Sequence, residues 1–389
     1  MLAMPGTRDA ANSWQEEVAR WAKGLGFERG KWNPCIYWHV RKNIQMLIHG
    51  DDFMMVCGRD VIGFAKGELA KRFTAKIEVC GHEEGESKEV TILNKVIRSV
   101  DDGWEYEADQ RHAEMMIGEL GLKEASGIGA PGEDEKKWER EENEEESNKE
   151  EATAFRVTAA RGNYLGSDRV DIQYPVKEVC RGKAKPTKGD QKKMKRLERY
   201  IVKCPRLVWK FQWQGRKHEI EVFTDSDWAG CPKTRKSTSG GAIMIGTHVL
   251  KTWSKTQKTV ALSSGEAEMI AVLKGVSEGL GMKSLAADWG REYKLLGMCD
   301  NSAAIGIIGR KGVGKIRHLD VGMMWVQDLR ESGGFEVKKV PGTMNPADQL
   351  TKYLGAGDVG KGVEMLGMEF RGWKAERGVE VVEGWRSKQ

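Results

Sequence analysis

Apolar positions follow two periods along this chain, and the period changes mark its elements. In IQMLIHGDDFMMV two short apolar runs flank Gly50-Asp51-Asp52, which predicts a β-hairpin over 44–56 turning at Gly-Asp. Ile62, Ala65, Leu69 and Phe73 then recur at helical spacing, as do Ala113, Met116, Ile117 and Leu120, so helices are predicted over 61–73 and 110–122. Residues 155–204 read as helices interrupted at Lys185-Pro186-Thr187, and strands are predicted over 207–213, 218–224, 240–246 and 249–253.

A long helix follows, opened by Ser263-Ser264-Gly265-Glu266, where a serine with a glutamate three residues on fits a capping box. Met269, Ile270, Leu273, Val276 and Leu280 lie near one face, while Gly275, Gly279 and Gly281 predict a bend or break. A strand over 294–299, helices over 302–308 and 320–329, a strand over 335–340 and a terminal helix from Pro346 complete the pattern. From His218 the order is β-β-β-α-β-α-α-β-α. An antiparallel meander followed by alternating helices and strands implies one mixed sheet covered by helices, an α/β class.

Charge changes this picture in two places. Residues 133–151, EDEKKWEREENEEESNKEE, hold eleven acidic and four basic residues, a net charge of −7 with little apolar periodicity. Such a run repels itself and reads as an exposed linker or insertion, dividing the chain near residue 132. Residues 176–203 hold eleven Lys/Arg against three Asp/Glu, a net +8 within a chain whose total is +5. That stretch suits a polyanion, since neutralised phosphates release counterions; a plain solvated helix face is the alternative.

No run approaches the roughly 18 apolar residues of a membrane span, so no membrane partner is expected. MLAMPGTRD has no basic segment leading into an apolar one, and the seven scattered cysteines contain no C-x-x-C pair. An intracellular, reducing compartment is expected, cytoplasm or nucleus, with free thiols rather than disulfides or zinc. Neither oligomeric state nor a partner subunit follows from the sequence.

Four acidic residues fall where side chains converge on one end of a sheet. Asp225 ends the first strand after His218, Glu268 lies in the first turns of the long helix, Asp300 follows the 294–299 strand, and Asp348 opens the last predicted helix. Clustered carboxylates repel, and are tolerated with protons or hard cations between them. Two Mg²⁺ ions about 4 Å apart, held by such a set, stabilise the attacking and leaving oxygens of an in-line phosphoryl displacement. Taken singly, each acid is equally a turn or helix-start residue.

The residues around these acids resemble the ribonuclease H domain of copia-type retrotransposon polyproteins. The motifs are Thr224-Asp225-Ser226-Asp227-Trp228-Ala229-Gly230, Arg235-Lys236-Ser237-Thr238-Ser239-Gly240, Trp253-Ser254-Lys255-Thr256-Gln257 and Ala261-Leu262-Ser263-Ser264-Gly265-Glu266-Ala267-Glu268. Asp300-Asn301, Arg317-His318-Leu319-Asp320 and Ala347-Asp348-Gln349-Leu350-Thr351-Lys352 continue the series. Upstream, residues 13–38 and the Asp51-Asp52 hairpin resemble the later palm of a copia-type reverse transcriptase. Ala108-Asp109-Gln110-Arg111-His112, Asn163-Tyr164-Leu165 and Asp168-Arg169-Val170-Asp171 resemble the region leading toward ribonuclease H.

The resemblance implies a ribonuclease H-like mixed sheet covered by helices, preceded by an α+β partial reverse-transcriptase palm and connection region. The implied divisions are a truncated palm over 1–132, the acidic linker over 133–152, a helical connection over 153–206, the ribonuclease H-like domain over 207–356 and a tail over 357–389. Catalytic, metal-binding acids are implied at Asp225, Glu268, Asp300 and Asp348, with Glu266 and Asp227 as neighbouring rivals. Asn301, Ser237, Thr238 and His318 are implied substrate contacts, and Asp51 and Asp52 a vestigial polymerase pair. The fifty residues before Asp51 leave little room for a third polymerase carboxylate and a nucleotide site, and His49-Gly50 replace the family's usual aromatic and apolar residues before the aspartates. The implied function is an Mg²⁺-dependent endonuclease (two ions, Mn²⁺ substituting) that hydrolyses the RNA strand of an RNA-DNA hybrid. The alternatives are a catalytically inactive nucleic-acid-binding remnant and a partial reverse transcriptase completed by an upstream palm fragment.

Overall fold

The computed structural model describes residues 7–119, 126–134, 144–312, 314 and 321–372. Two compact units form, one from residues 1–78 with 278–294 and one from residues 79–277 with 295–389. In the first unit, helix α1 (Arg8–Gly24) starts at Thr7, whose hydroxyl accepts the Ala10 N–H at 3.3 Å. Strands β1 (Glu28–Arg29), β2 (Ile36–His39), β3 (Ile44–His49) and β4 (Asp52–Val56) make an antiparallel meander in that order, followed by α2 (Arg59–Arg72). The hairpin lies where the pattern places it: His49 pairs with Asp52 across the two-residue turn Gly50-Asp51, and Gly50 takes φ +63°. Ala22, Phe27, Tyr37, Ile44, Met46 and Val61 form the core of this unit.

The second unit begins with β5 (Glu89–Ile92), β6 (Lys95–Val100) and β7 (Gly103–Glu107), and continues through α3 (Arg111–Glu119), α4 (Lys149–Leu165), α5 (Val170–Arg181), α6 (Lys188–Lys203) and β8 (Arg206–Gln212). Then come β9 (Glu219–Ser226), β10 (Thr238–Ile245), β11 (His248–Thr256), α7 (Ser264–Asp288, whose residues from 278 onward count with the first unit), β12 (Lys294–Cys299), α8 (Ser302–Gly309), α9 (Val321–Glu331), β13 (Glu336–Lys339), α10 (Ala356–Met365) and β14 (Met368–Arg371). Two five-stranded sheets result, β14-β8-β7-β6-β5 and β11-β10-β9-β12-β13.

Several expectations are corrected here. The division of the chain falls after residue 78 rather than near 132, because β7 pairs with β8 and ties residues 89–107 to the second unit. Strand β8 does not lead into the β9–β13 sheet; it lies between β7 and β14 in the other sheet. The tail from 357 is structured through β14, whose Met368 pairs with Trp209. Leu207, Trp209, Val363, Leu366 and Met368 share one core with Ala242 and Met244 of β10, so the two sheets are welded by apolar burial.

Helix α7 runs from Ser264 to Asp288 without the break that its glycines predict. A Cβ at Gly275 would lie 2.5 Å from Thr224 Cγ2 and 3.0 Å from Val222 Cγ1, so this glycine lets the helix lie close on β9. No helix starts at Pro346: Gly342–Met344 and Asp348–Leu350 are single 3₁₀ turns, and the terminal helix begins at Ala356. Among the described residues no helix is long and apolar enough to cross a membrane.

Candidate active site

Asp225 is the penultimate residue of β9, paired with Gly240 of β10. At Gly240 an added Cβ would lie 2.8 Å from both Leu350 Cβ and Thr351 Cγ2, so only a bare backbone admits the 3₁₀ turn that carries Asp348. Thr351, buried at the end of that turn, donates its hydroxyl to Asp225 Oδ2. Lys352 pairs with Asp348, Nζ to Oδ1 2.5 Å.

Capping separates the two glutamates of α7. Ser263 Oγ accepts the Glu266 N–H at 3.2 Å and the Glu266 carboxylate accepts the Leu262 N–H at 2.8 Å, so Glu266 is engaged at the helix start. Glu268, half a turn on, faces the end of the sheet. Its Oε1 accepts the Ser226 N–H at 3.1 Å, and its buried Oε2 has no hydrogen-bond partner. Glu268, Cys299 and Asp300 bring ligand atoms within 4.8 Å of one another. Asp227, the neighbour of Asp225, instead accepts the Thr238 N–H and pins the turn after β9.

Electrostatics follow from burial and crowding. Burial, with the charges of Asp225 and Asp300, pushes the Glu268 carboxyl up to about 9 against the pull of the Ser226 N–H. Burial pushes Asp225 up to about 6; the Thr351 hydrogen bond lowers it while Asp348 and Asp300 raise it. Asp300 is also raised, first by burial and then by Asp348. Burial works against the Lys352 ammonium, yet Asp348, Asp225 and Asp300 hold it above its ordinary value. The Cys299 thiol is pushed up to about 12, chiefly by burial, and so stays protonated beside the acids. An unpartnered carboxylate oxygen in a crowd of buried acids is a donor set suited to a hard cation.

The remaining candidates separate clearly. Ser237 is fully buried, its Oγ accepting the Ala229 N–H at 2.9 Å, and Thr238 is buried with its Oγ1 accepting from Lys177 Nζ at 2.7 Å. Both hydroxyls brace the surroundings of the loop after β9 through these hydrogen bonds. Asn301 caps α8 by accepting the N–H groups of Ala303 at 2.9 Å and Ala304 at 3.0 Å. His318 lies outside the described residues. Asp51 and Asp52 are exposed on the hairpin of the first unit.

Sequence reasoning passed over Thr351, Lys352 and Asn345. The first two stand three and four residues after Asp348, the spacing at which side chains share a helical face, and that was the available signal. Asn345 is buried, donates Nδ2 to the Thr224 carbonyl at 2.9 Å and hydrogen-bonds Asp300, a link that no local pattern announces.

Several relatives of the chain are retrovirus-related Pol polyproteins from transposons. The chain is 25% identical over 376 residues to the retrovirus-related Pol polyprotein from transposon TNT 1-94 of Nicotiana tabacum, a match covering 93% of this chain and 27% of that protein. With the Pol polyprotein from transposon RE1 of Arabidopsis thaliana it shares 24% identity over 359 residues, 90% of this chain and 24% of the relative. The chain is therefore a homologue of retrovirus-related Pol polyproteins from transposons, and the resemblance to copia-type polyproteins holds. It spans about a quarter of the length of these relatives. No protein-family model matches. A foamy viral protease-reverse transcriptase solved in complex with RNA/DNA hybrid aligns with a TM-score of 0.47 at 8% identity, over 87% of this chain and 38% of that one.

Proposed function

We propose that the second unit is an Mg²⁺-dependent ribonuclease H that hydrolyses the RNA strand of an RNA-DNA hybrid. The observation that carries this reading is the convergence of Asp225, Glu268 and Asp300, joined electrostatically by Asp348, around a buried carboxylate oxygen without a partner. Homology to Pol polyproteins supports it from outside the site.

Asp225, Glu268, Asp300 and Asp348 would hold two Mg²⁺ ions, with Mn²⁺ able to substitute. When bound, the ions supply a hydroxide-like water at neutral pH and charge stabilisation for the departing 3′-oxygen. The protein's own contribution is orientation. The Thr351 hydroxyl fixes one oxygen of Asp225 and the Ser226 N–H fixes one of Glu268, leaving the other oxygens to face the cluster. Lys352 balances Asp348 at the rim, where it offsets negative charge against an incoming phosphate. Because the acids repel when bare, the ionised set is stable with cations in place and proton-holding without them.

Incubating the purified chain with a labelled RNA-DNA hybrid in Mg²⁺ or EDTA, beside Asp300→Asn, tests this. Cleavage confined to the RNA strand, lost in EDTA and in the variant, is the expected result. Hybrid binding without cleavage at any Mg²⁺ or Mn²⁺ concentration would sink the reading.

A further inference from the structure

One buried glutamine hydrogen-bonds the chain neighbours of two of the site acids. Gln257 closes the motif Trp253–Gln257, directly after β11, and is only 5% exposed. Its backbone N–H donates to the Ser237 carbonyl at 2.7 Å, which seats it beside the start of β10. Its side-chain Nε2 lies 2.8 Å from the Ala267 carbonyl, 3.0 Å from Ser239 Oγ and 3.1 Å from Ser226 Oγ.

Each of these partners adjoins the carboxylates. Ser226 follows Asp225 on β9, and its N–H is the donor to Glu268 Oε1 at 3.1 Å. Ser239 is the cross-strand partner of Ser226, next to the Gly240–Asp225 pair. Ala267 precedes Glu268 in the first turns of α7. One amide therefore ties the strand end that carries Asp225 to the helix turn that carries Glu268. Ser226 Oγ faces the carbonyls of Asp227 at 2.8 Å and Thr238 at 3.0 Å, so its proton is committed there and it accepts from Gln257.

The orientation of the amide is fixed, because the Ala267 carbonyl can only accept and so must face the nitrogen. Among the described residues the Gln257 Oε1 is then left buried without a hydrogen-bond partner. An apolar side chain of similar length would avoid that desolvation penalty. The fold by itself gives no reason to keep the amide, whereas a tie between two acid-bearing elements does. Groups that orient metal ligands from behind typically govern metal affinity by about 10- to 100-fold.

We propose that Gln257 is a positioning residue for the metal-binding acids, setting the spacing of Asp225 and Glu268 so that they close on Mg²⁺ with little rearrangement. The proposal rests on the metal-dependent reading above and adds to it a residue that acts through Ser226 and Ala267.

Calorimetric titration of the full chain with Mg²⁺, in the absence of nucleic acid, tests this without cleavage. Gln257→Met keeps the bulk and removes the three amide contacts, and should weaken Mg²⁺ binding about 10- to 100-fold. Ser226→Ala is the milder variant: it removes the acceptor on β9, keeps the backbone N–H on Glu268, and should weaken binding about fivefold, as for one net hydrogen bond. The double variant should bind about as weakly as Gln257→Met alone, since both changes break the same tie. Tyr200→Phe controls for lost stability, because it removes a buried hydrogen bond to Asp171 (2.9 Å) in the helical core; it should lower the melting temperature and leave Mg²⁺ affinity at the wild-type value. Wild-type affinity in a folded Gln257→Met, or in Ser226→Ala should Gln257→Met not fold, would overturn the proposal. Wild-type protein that binds neither Mg²⁺ nor Mn²⁺ would remove the metal site and this proposal together. Weakened Mg²⁺ binding in the variants beside a wild type that cuts no hybrid would leave the role of Gln257 standing and overturn the ribonuclease reading alone.

Discussion

The chain holds two groups of acids that its sequence marks as chemistry, and they are built in opposite ways. Asp51 and Asp52 are neighbours on a two-residue turn, both exposed. Asp225, Glu268, Asp300 and Asp348 come from four separated segments, and Asp225 and Glu268 are buried. Adjacent residues at a strand end point to opposite faces, so sequence proximity does not concentrate charge. The strand ends of β9 and β12, the first turns of α7 and the 3₁₀ turn at Asp348 do so, because packing brings them to one place. Water screens the first group, whereas the second carries a desolvation cost that a bound cation would offset.

The strongest way to break this comparison is to neutralise single acids in each group. Asp225→Asn and Asp300→Asn should lower hybrid cleavage at least about a hundredfold, comparable to deleting one preorganised electrostatic group in an active site. The metal-free melting temperature should not fall, since a repelling charge is removed and the amide oxygen introduced by Asp225→Asn still accepts from the Thr351 hydroxyl. A lowered Tm without loss of cleavage would assign Asp225 or Asp300 to the fold.

A smaller effect is read in pH. A carboxyl whose folded pKa lies above its unfolded value loses stabilisation as pH rises between the two, because the unfolded chain releases its proton first. For Glu268 that window runs from about 4.5 to about 9, and for Asp225 from about 3.8 to about 6. Metal-free protein should therefore be less stable to urea at pH 8 than at pH 5. Glu268→Gln should flatten the profile, and saturating Mg²⁺ should raise the wild-type value most at the alkaline end. A wild-type profile that rises from pH 5 to 8, with no difference in the variant, contradicts the burial of these acids.

Smaller again is the bracing of the loop after β9. Ser237→Ala leaves the buried Ala229 N–H without its acceptor and should cost about 1–3 kcal/mol of stability. Cleavage per folded molecule should fall little, in contrast to the acids. A loss of cleavage as deep as that of Asp300→Asn, at unchanged stability, would return Ser237 to the substrate contacts.

Much of this was legible because it is local. The hairpin at Gly50, the Ser263–Glu266 cap and the β9 to β13 order all follow from period, turn residues and capping. Long-range packing was not. The apolar run in 207–211 announces a strand but not its partners, so its pairing with β7 and β14, apart from the β9–β13 sheet, was not legible. Gly275 reads as a helix breaker until the close approach of Thr224 is known. Pro346 reads as a helix start, yet Leu350 and Thr351 pack on Gly240 and turn the chain into a 3₁₀ turn. The acids themselves were found by motif, while the residues that orient them, Thr351, Lys352 and Asn345, act through contacts spanning up to 126 residues.

The smallest effect belongs to the exposed pair, and it sharpens the comparison most. Asp51→Asn sits in a turn that Gly50 already shapes, and Asp52→Asn keeps the backbone pairing with His49. Each change should move stability by no more than about 0.5 kcal/mol, the range of surface substitutions away from special features. Hybrid cleavage by the full chain should match wild type, because neither residue belongs to the carboxylate cluster of the second unit. Cleavage kinetics of the double variant in Mg²⁺, beside urea unfolding, measure both. A cleavage loss there at unchanged stability would mean that the hairpin takes part in the reaction, and that burial is not what separates the two groups of acids.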